Sequence, residues 1–397
     1  MTLRVHPDEI VEKSSSRLLA IHPSWERVRL SEVADVLNGF AFKSAYFDRG
    51  GGVPLIRIRD VGRADTDTKY TGEYDQAYLV EPGSIVIGMD GDFRVARWSG
   101  PSALLNQRVC KLTVRDSEHY EPHLLLHVLP GYLDAVHAQT SSVTVKHLSS
   151  RTVQELPLPL PPLNEQRRIV AAIEEHLSRL GAADASLAAA LRRLGALANE
   201  TISSALRGDW EVVPLRDVTE SQVYGTSAKA SRTNSAELVG KSAVFTASDR
   251  MTFASYLIRV RLNGRCDPHW AALVINGAPG RQYIASVRSQ QVGQANVNGT
   301  KLAAMPIPLP PLEEQRRIVQ EVEERLSRID AMRASIERAQ RRSAALRAAI
   351  LERGFRGELV PQDPSDEPAE ALLARIRADR ATATPVKVPG ARLRLSK

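Results

Sequence analysis

Few residues in this chain have the type and spacing that chemistry needs. Residues 235–242 read SAELVGKS and miss the phosphate-binding pattern GxxxxGK[ST] by one residue, with Ser235 where the first glycine should stand. ASRTN precedes this stretch instead of a strand, and AVF follows it instead of a helix. That context predicts a loop and strand, and leaves a nucleotide hydrolase centred on Lys241 as a rival reading. His119, His123 and His127 are four residues apart, so one helix face could present them to a metal. A partly exposed helix accounts for the same spacing. Cys110 and Cys266 stand far apart with no ligand pattern, which argues against zinc and disulfides and fits a reducing compartment. There is no HExxH, no GxSxG, no GxGxxG after a strand, and no Asn-Pro-Pro-Tyr of the kind amino-methyltransferases use. No catalytic residue, metal site or cofactor of its own is expected.

What remains is a set of polar, basic and aromatic residues in loop-rich sequence. The first half offers Lys43, Ser44, Tyr46, Arg57, Arg59, Arg94, Arg97, Asn106, Gln107, Arg108, Lys146 and His147. The second offers Tyr224, Thr226, Ser227, Lys229, Arg232, Asn234, Lys241, Asn276, Arg281 and Gln294. Arg and Lys reach guanine edges, Asn and Gln read adenine, and hydroxyls and amides hold phosphate. Any one of them alone is more often an ordinary surface group. Their concentration in two matching regions points to double-stranded DNA. The net charge of +7 and pI of about 9.5 admit such a polyanion without demanding it. Residues 210–305 carry eleven Lys/Arg against six Asp/Glu, whereas residues 25–158 carry fifteen against seventeen. A basic stripe in the first region must therefore come from arrangement.

The elements that position these residues occur twice. PLPPLNEQRRIVAAIEEHLSRL from Pro159 returns as PLPPLEEQRRIVQEVEERLSRI from Pro308. Glu165 and Glu314 are 149 residues apart, and so are Gly208 and Gly357, which marks an internal duplication. The alternate prolines before each copy forbid helix and predict stiff extended connectors. A helix can begin after the last proline, with Glu165, Glu313 and Glu314 suiting its positive end, and the two glycines read as stops. Ile173, Leu180, Leu187 and Leu194 recur every seven residues, with Leu177 and Leu191 beside them. Val322, Ile329, Ile336 and Ile350 keep the same row in the second copy, with Leu326 matching Leu177 and Ser343 as its weak member. His176 falls one residue before a seam position. A narrow seam on helices roughly 66 Å long needs a partner, and the repeat itself is the obvious one. Asp184 and Arg333 correspond at seam positions near the helix middles, so an antiparallel pair would place these opposite charges together.

Upstream of each helix, alternating runs such as residues 53–58 and 84–88 read as strands, and WERVRLSEV from Trp25 matches WEVVPLRDV from Trp210. The expected organisation is an extension (1–24), a globular domain (25–158), a helix (159–208), a second domain (209–307), a second helix (308–357) and a tail with a short helix (358–397). With 43% apolar and 25% charged residues, no leader-like run and no membrane-length segment, a soluble cytoplasmic protein without membrane contact is expected.

The doubled Pro-Leu-Pro-Pro-Leu-x-Glu-Gln-Arg-Arg-Ile helices, each after a domain opening Trp-Glu-x-Val-x-Leu, resemble the specificity subunit of type I restriction–modification systems. RGELVPQDPSDEPAEALL from Arg356 is similar to the usual end of that family. The resemblance implies an α+β fold: two α/β target-recognition domains, separated by two long helices in an antiparallel coiled coil with pseudo-twofold symmetry. It also implies a non-catalytic chain reading a split DNA site and binding two modification and two restriction subunits. S-adenosylmethionine, ATP and Mg would then sit on those partners. One departure stands out. The second domain lacks about 40 residues near Ser231 and Arg232, where the first has two strands. Missing strands leave backbone groups unpaired, so the alternative is a damaged subunit that scaffolds modification subunits but reads one half-site.

Overall fold

The computed structural model describes residues 6–139, 146–225, 239–247, 251–254, 257–291 and 294–382. The chain forms two compact units, residues 1–181 with 344–397 and residues 182–343, so both long helices contribute to both units.

In the first unit the proline connector is more than a spacer. Pro157–Leu160 pairs antiparallel with Glu26–Arg29, and all four of its residues are buried. Proline cannot donate to a ladder, so a two-stranded edge suits this sequence. Beyond it the Val- and Ile-rich runs build two sheets. Ala34–Asn38, Val109–Val114, Ile85–Gly88 and Val95–Arg97 form an antiparallel sheet in that order. Phe47–Asp48, Lys69–Tyr70, Val53–Ile56, Ala103–Leu105 and Leu79–Val80 form the other, with Val53–Ile56 and Ala103–Leu105 parallel. Helix Pro122–Gln139 buries Leu124, Leu125, Val128, Leu129, Tyr132 and Val136, a stripe at three- and four-residue spacing. The tail helix Ala369–Thr382 places Leu372, Leu373 and Ile376 in the same core.

The second unit repeats the plan with less material. Val212–Pro214 pairs with Pro306–Pro308, and Thr219–Tyr224 pairs with Ile258–Leu262. These match the first unit's connector sheet and its first antiparallel pair. Among the described residues no strand of this unit corresponds to Val53–Ile56 or Ile85–Gly88, the two strands of the stretch that the second domain lacks, or to Val95–Arg97. Helices Pro268–Asn276 and Ala278–Val287 close a core around Trp270. The point where the second domain is shortened relative to the first, between Ser231 and Arg232, lies outside the described residues.

The long helices run Leu163–Ala205 and Leu312–Phe355 and start directly after the prolines. Ile169 and Ile173 near the start of one lie against Gly354 near the end of the other, within the first unit. In the second unit Ile202 and Ala205 share a core with Ile318, Val319 and Val322. Each unit thus holds an antiparallel helix pair. Ile173, Val322 and Ile329 are buried, whereas Leu177, Leu180, Leu187, Leu191, Leu194, Leu326, Ile336 and Ile350 are half-buried. Arg333, expected to face Asp184, meets a carboxylate on its own helix instead. Arg333 Nη1 lies 3.7 Å from Asp330, one turn earlier on its own helix, and its side chain is 44% exposed. An exposed guanidinium at the edge of a narrow seam finds the carboxylate on its own face first.

No helix among the described residues is long and apolar enough to cross a membrane.

Candidate nucleic-acid interface

One loop cluster of the first domain gathers several candidate residues. The Met89 amide donates to the Arg108 carbonyl at 2.9 Å, and Gly91 donates to the Lys146 carbonyl at 3.0 Å. The Leu148 amide donates to Met89 at 2.7 Å, tying three loops together. Asp90, only 11% exposed, sits between them and accepts from Arg108 at 2.7 Å while bonding His147 at 2.6 Å. Phe93 is buried with φ of 49°, a left-handed conformation that a bulky residue holds only when its surroundings force it. Its ring packs edge-on against His137 at 5.3 Å. That anchor presents the next residue, Arg94, at the surface, with its stem 3.6 Å from where a Cβ on Gly62 would sit. Gly39 joins from the other side, so close that a Cβ there would lie 2.0 Å from the Asn106 carbonyl oxygen. Asn106, Gln107 and Arg108 therefore share one rim with Arg94 and His147. This rim offers guanidinium forks and amides in the combination that phosphates and base edges accept.

Other candidates lie elsewhere. Lys43, Ser44 and Tyr46 begin or form a short turn beside the five-stranded sheet, where Tyr46 meets Tyr70 edge-on. Arg57 stacks over Phe47 at 5.9 Å, and Arg59 donates to Thr68 at 3.1 Å. Lys146 turns its ammonium inward to the His137 carbonyl at 2.6 Å. Arg97 is engaged by His123 at 2.7 Å.

The second domain gathers less. Tyr224 is half exposed and its hydroxyl accepts from the Gly299 amide. Asn276 exchanges two hydrogen bonds with Ser242, and Arg281 donates to the Val239 carbonyl at 2.8 Å. Gln294 belongs to the strand Gln294–Asn296. Thr226, Ser227, Lys229, Arg232 and Asn234 lie outside the described residues. The phosphate-loop reading of Lys241 fails on context, since residues 241–247 form no helix. Residues 239–247, the described part of this stretch, form no strand either. Gly240, with φ of 76°, instead packs its neighbourhood on Ile284.

The histidine trio does not form a metal cluster, and none occurs among the described residues. His123 bonds Glu174 at 2.7 Å, and His119, which precedes the helix, faces Asp379 at 3.0 Å. Burial pushes both cysteine thiols up to about 12, which keeps them protonated and unreactive.

A feature the motifs did not announce is the mounting of each domain on its helix. Gln166 accepts from the Glu121 amide at 2.8 Å, and Gln315 accepts from the Asp267 amide at 2.8 Å. His269 meets Glu323 at 3.2 Å as His123 meets Glu174. The repeated Glu/Asp-Pro-His before the helices, combined with the 149-residue offset of Gln166 and Gln315, was the available signal.

Two domains of one ancestry, each clamped to the start of a long helix, define a duplicated recognition module. The family model described as type I restriction modification DNA specificity domain matches residues 23–183 and 280–344. The type I restriction enzyme EcoBI specificity subunit of Escherichia coli is 32% identical over 455 aligned residues, covering 94% of this chain and 96% of that protein. The StySPI specificity subunit of Salmonella potsdam is 23% identical, covering 90% and 96%. A structure solved for complex assembly and conformational transition of the type I restriction–modification system shares the fold, with a TM-score of 0.66 at 19% identity over 85% of this chain and 99% of that one. The chain belongs to the specificity subunits of type I restriction–modification systems.

Proposed function

We propose that this chain reads a bipartite site in double-stranded DNA, one half-site per domain, and performs no chemistry itself. It docks two modification subunits, which carry S-adenosylmethionine and methylate adenine, and two restriction subunits, which use ATP and Mg, all in the cytoplasm. The observation carrying this reading is the Arg94–Asn106–His147 rim on a domain that the chain duplicates together with its helix mount. Half-site centres about 34 Å apart would let both domains meet one face of the duplex. The test is methylome sequencing of a host carrying the whole operon, with salt-dependent DNA binding of the assembled subunits. A two-part methylated motif is expected, and random or absent methylation with intact partners overturns the reading.

A second reading has its own support. Among its described residues the second domain has no counterpart of the strands Val53–Ile56 and Ile85–Gly88 or of the five-stranded sheet around the first of them, and a subunit that reads only one half-site would yield a one-part motif.

A further inference from the structure

We propose that Gln166 and Gln315 are positioning residues: each fixes the angle of one domain on its helix, and together they set the DNA spacer accepted. This rests on the bipartite reading above. Both side chains are fully buried, where an amide must satisfy its oxygen and its NH2 group. Gln166 donates to the Pro161 carbonyl at 2.9 Å and accepts from the Glu121 amide at 2.8 Å. Gln315 donates to Pro310 at 2.8 Å and to Arg265 at 3.0 Å, and accepts from the Asp267 amide at 2.8 Å. Glu121 and Asp267 each stand one residue before the helix of their own domain, Pro122–Gln139 or Pro268–Asn276. One side chain therefore joins the proline connector, the start of the long helix and the domain. The His123–Glu174 and His269–Glu323 contacts brace the same joint from outside.

The neighbourhood has diverged while the joint has not. Glu165 is buried under Trp25, whereas its counterpart Glu314 pairs with Arg317 in an exposed setting. The second domain is shorter, and among the described residues its sheets are smaller. The glutamine geometry nevertheless repeats to within about 0.1 Å. Apolar side chains would fill this space without directional bonds, and hydrophobic contact sets no angle. Directional bonds are what a mount requires if it must hold an attitude. Angle matters because adding one base pair turns a half-site by about 35°.

The experiment uses the full chain with its modification subunits and compares Gln166→Leu, Gln315→Leu and the peripheral His123→Ala. Methylation is measured on duplexes with the native spacer and with one base pair more or fewer. Amide exchange at residues 121–125 and 267–271 is followed in parallel. Each leucine variant should lose about tenfold in preference for the native spacer, the equivalent of roughly 1.4 kcal/mol. Affinity for an isolated half-site should stay unchanged, and exchange should accelerate only at the altered joint. His123→Ala, on a surface brace, should show a smaller shift in the same direction and keeps the test open should a leucine variant not fold. A wild-type complex without a two-part site overturns the functional reading and the spacer claim with it. A two-part wild type whose folded variants keep their spacer preference overturns this inference alone.

Discussion

Arg94 and Arg281 carry the same guanidinium, yet the fold gives them different work. Arg94 is exposed beside Gly62 on the loop rim, whereas Arg281 is half-buried and holds the Val239 carbonyl. Arg94→Ala should weaken DNA binding and, if it meets a phosphate, lower the salt slope by about 1. Arg281→Ala should instead lower the melting temperature, since a lost charged hydrogen bond costs about 1–3 kcal/mol. Equal effects of the two substitutions on DNA binding, with no loss of stability, would reverse these roles. Residue type made both arginines legible as candidates in the sequence. Their partners were not legible, because Val239 lies 42 residues from Arg281 in the chain. Glu165 allows a pH test at the same scale. Burial raises its pKa above the ordinary 4.5, against hydrogen bonds from Gln362 and Trp25 that lower it. The folded state then binds the proton more tightly than the unfolded one. This contribution to stability is complete below pH 4.5 and is lost as pH rises through the folded pKa. Glu165→Gln removes it, so the variant's stability relative to wild type should improve from pH 4.5 to 7 in denaturant titrations. A relative stability that is flat or falls over that range contradicts the assignment.

At the level of elements, periodicity carried the long helices well because sevenfold spacing and flanking prolines are local properties of the chain. The partner of each seam residue is not local. The Asp184–Arg333 expectation used pseudo-symmetry alone, and Arg333 turned instead to Asp330. Arg333→Ala should therefore change stability by less than about 0.5 kcal/mol, and no coupling to Asp184→Ala is expected. Ile329, which is 3% exposed, should cost about 2–5 kcal/mol when cut to alanine. Chemical denaturation of the three single variants checks both values, and an Arg333 effect as large as that of Ile329 would restore the charge-pair view. The proline connectors show a similar limit. Alternate prolines made extended backbone predictable, but their pairing with Glu26–Arg29 and Val212–Pro214 joins residues 92 to 134 positions apart. The histidines show it too: four-residue spacing suggested a shared helix face, yet Glu174 on the neighbouring helix claims His123.

The whole molecule consists of two unequal copies, and the larger one is completed by the two ends of the chain. Gly357 ends the second long helix with φ of 68° and lies against His22, three residues before Trp25. From there the tail runs back over the first unit. Arg168 grips the nearly buried Asp366 with two bonds of 3.3 and 2.6 Å, and Arg377 reaches Glu32 at 3.1 Å. Leu372, Leu373 and Ile376 are 0%, 8% and 2% exposed, so the tail supplies core rather than decoration. At about 1.5–3 kcal/mol for each buried aliphatic side chain, removing residues 358–397 withdraws roughly 5–9 kcal/mol as an upper bound. That is comparable with the whole stability of an ordinary domain, about 5–15 kcal/mol. Among the described residues the second unit draws none of its core from the tail, since Trp270, Val274 and Val322 pack among residues 202–326. A chain ending at Gly357 should therefore lose amide-exchange protection at Val86 and Leu112 while Trp270 and Val274 remain protected. Retained protection in the first unit would make the tail a surface strap. Simultaneous loss in both would mean that the long helices, which pass through both units, couple their unfolding into one transition.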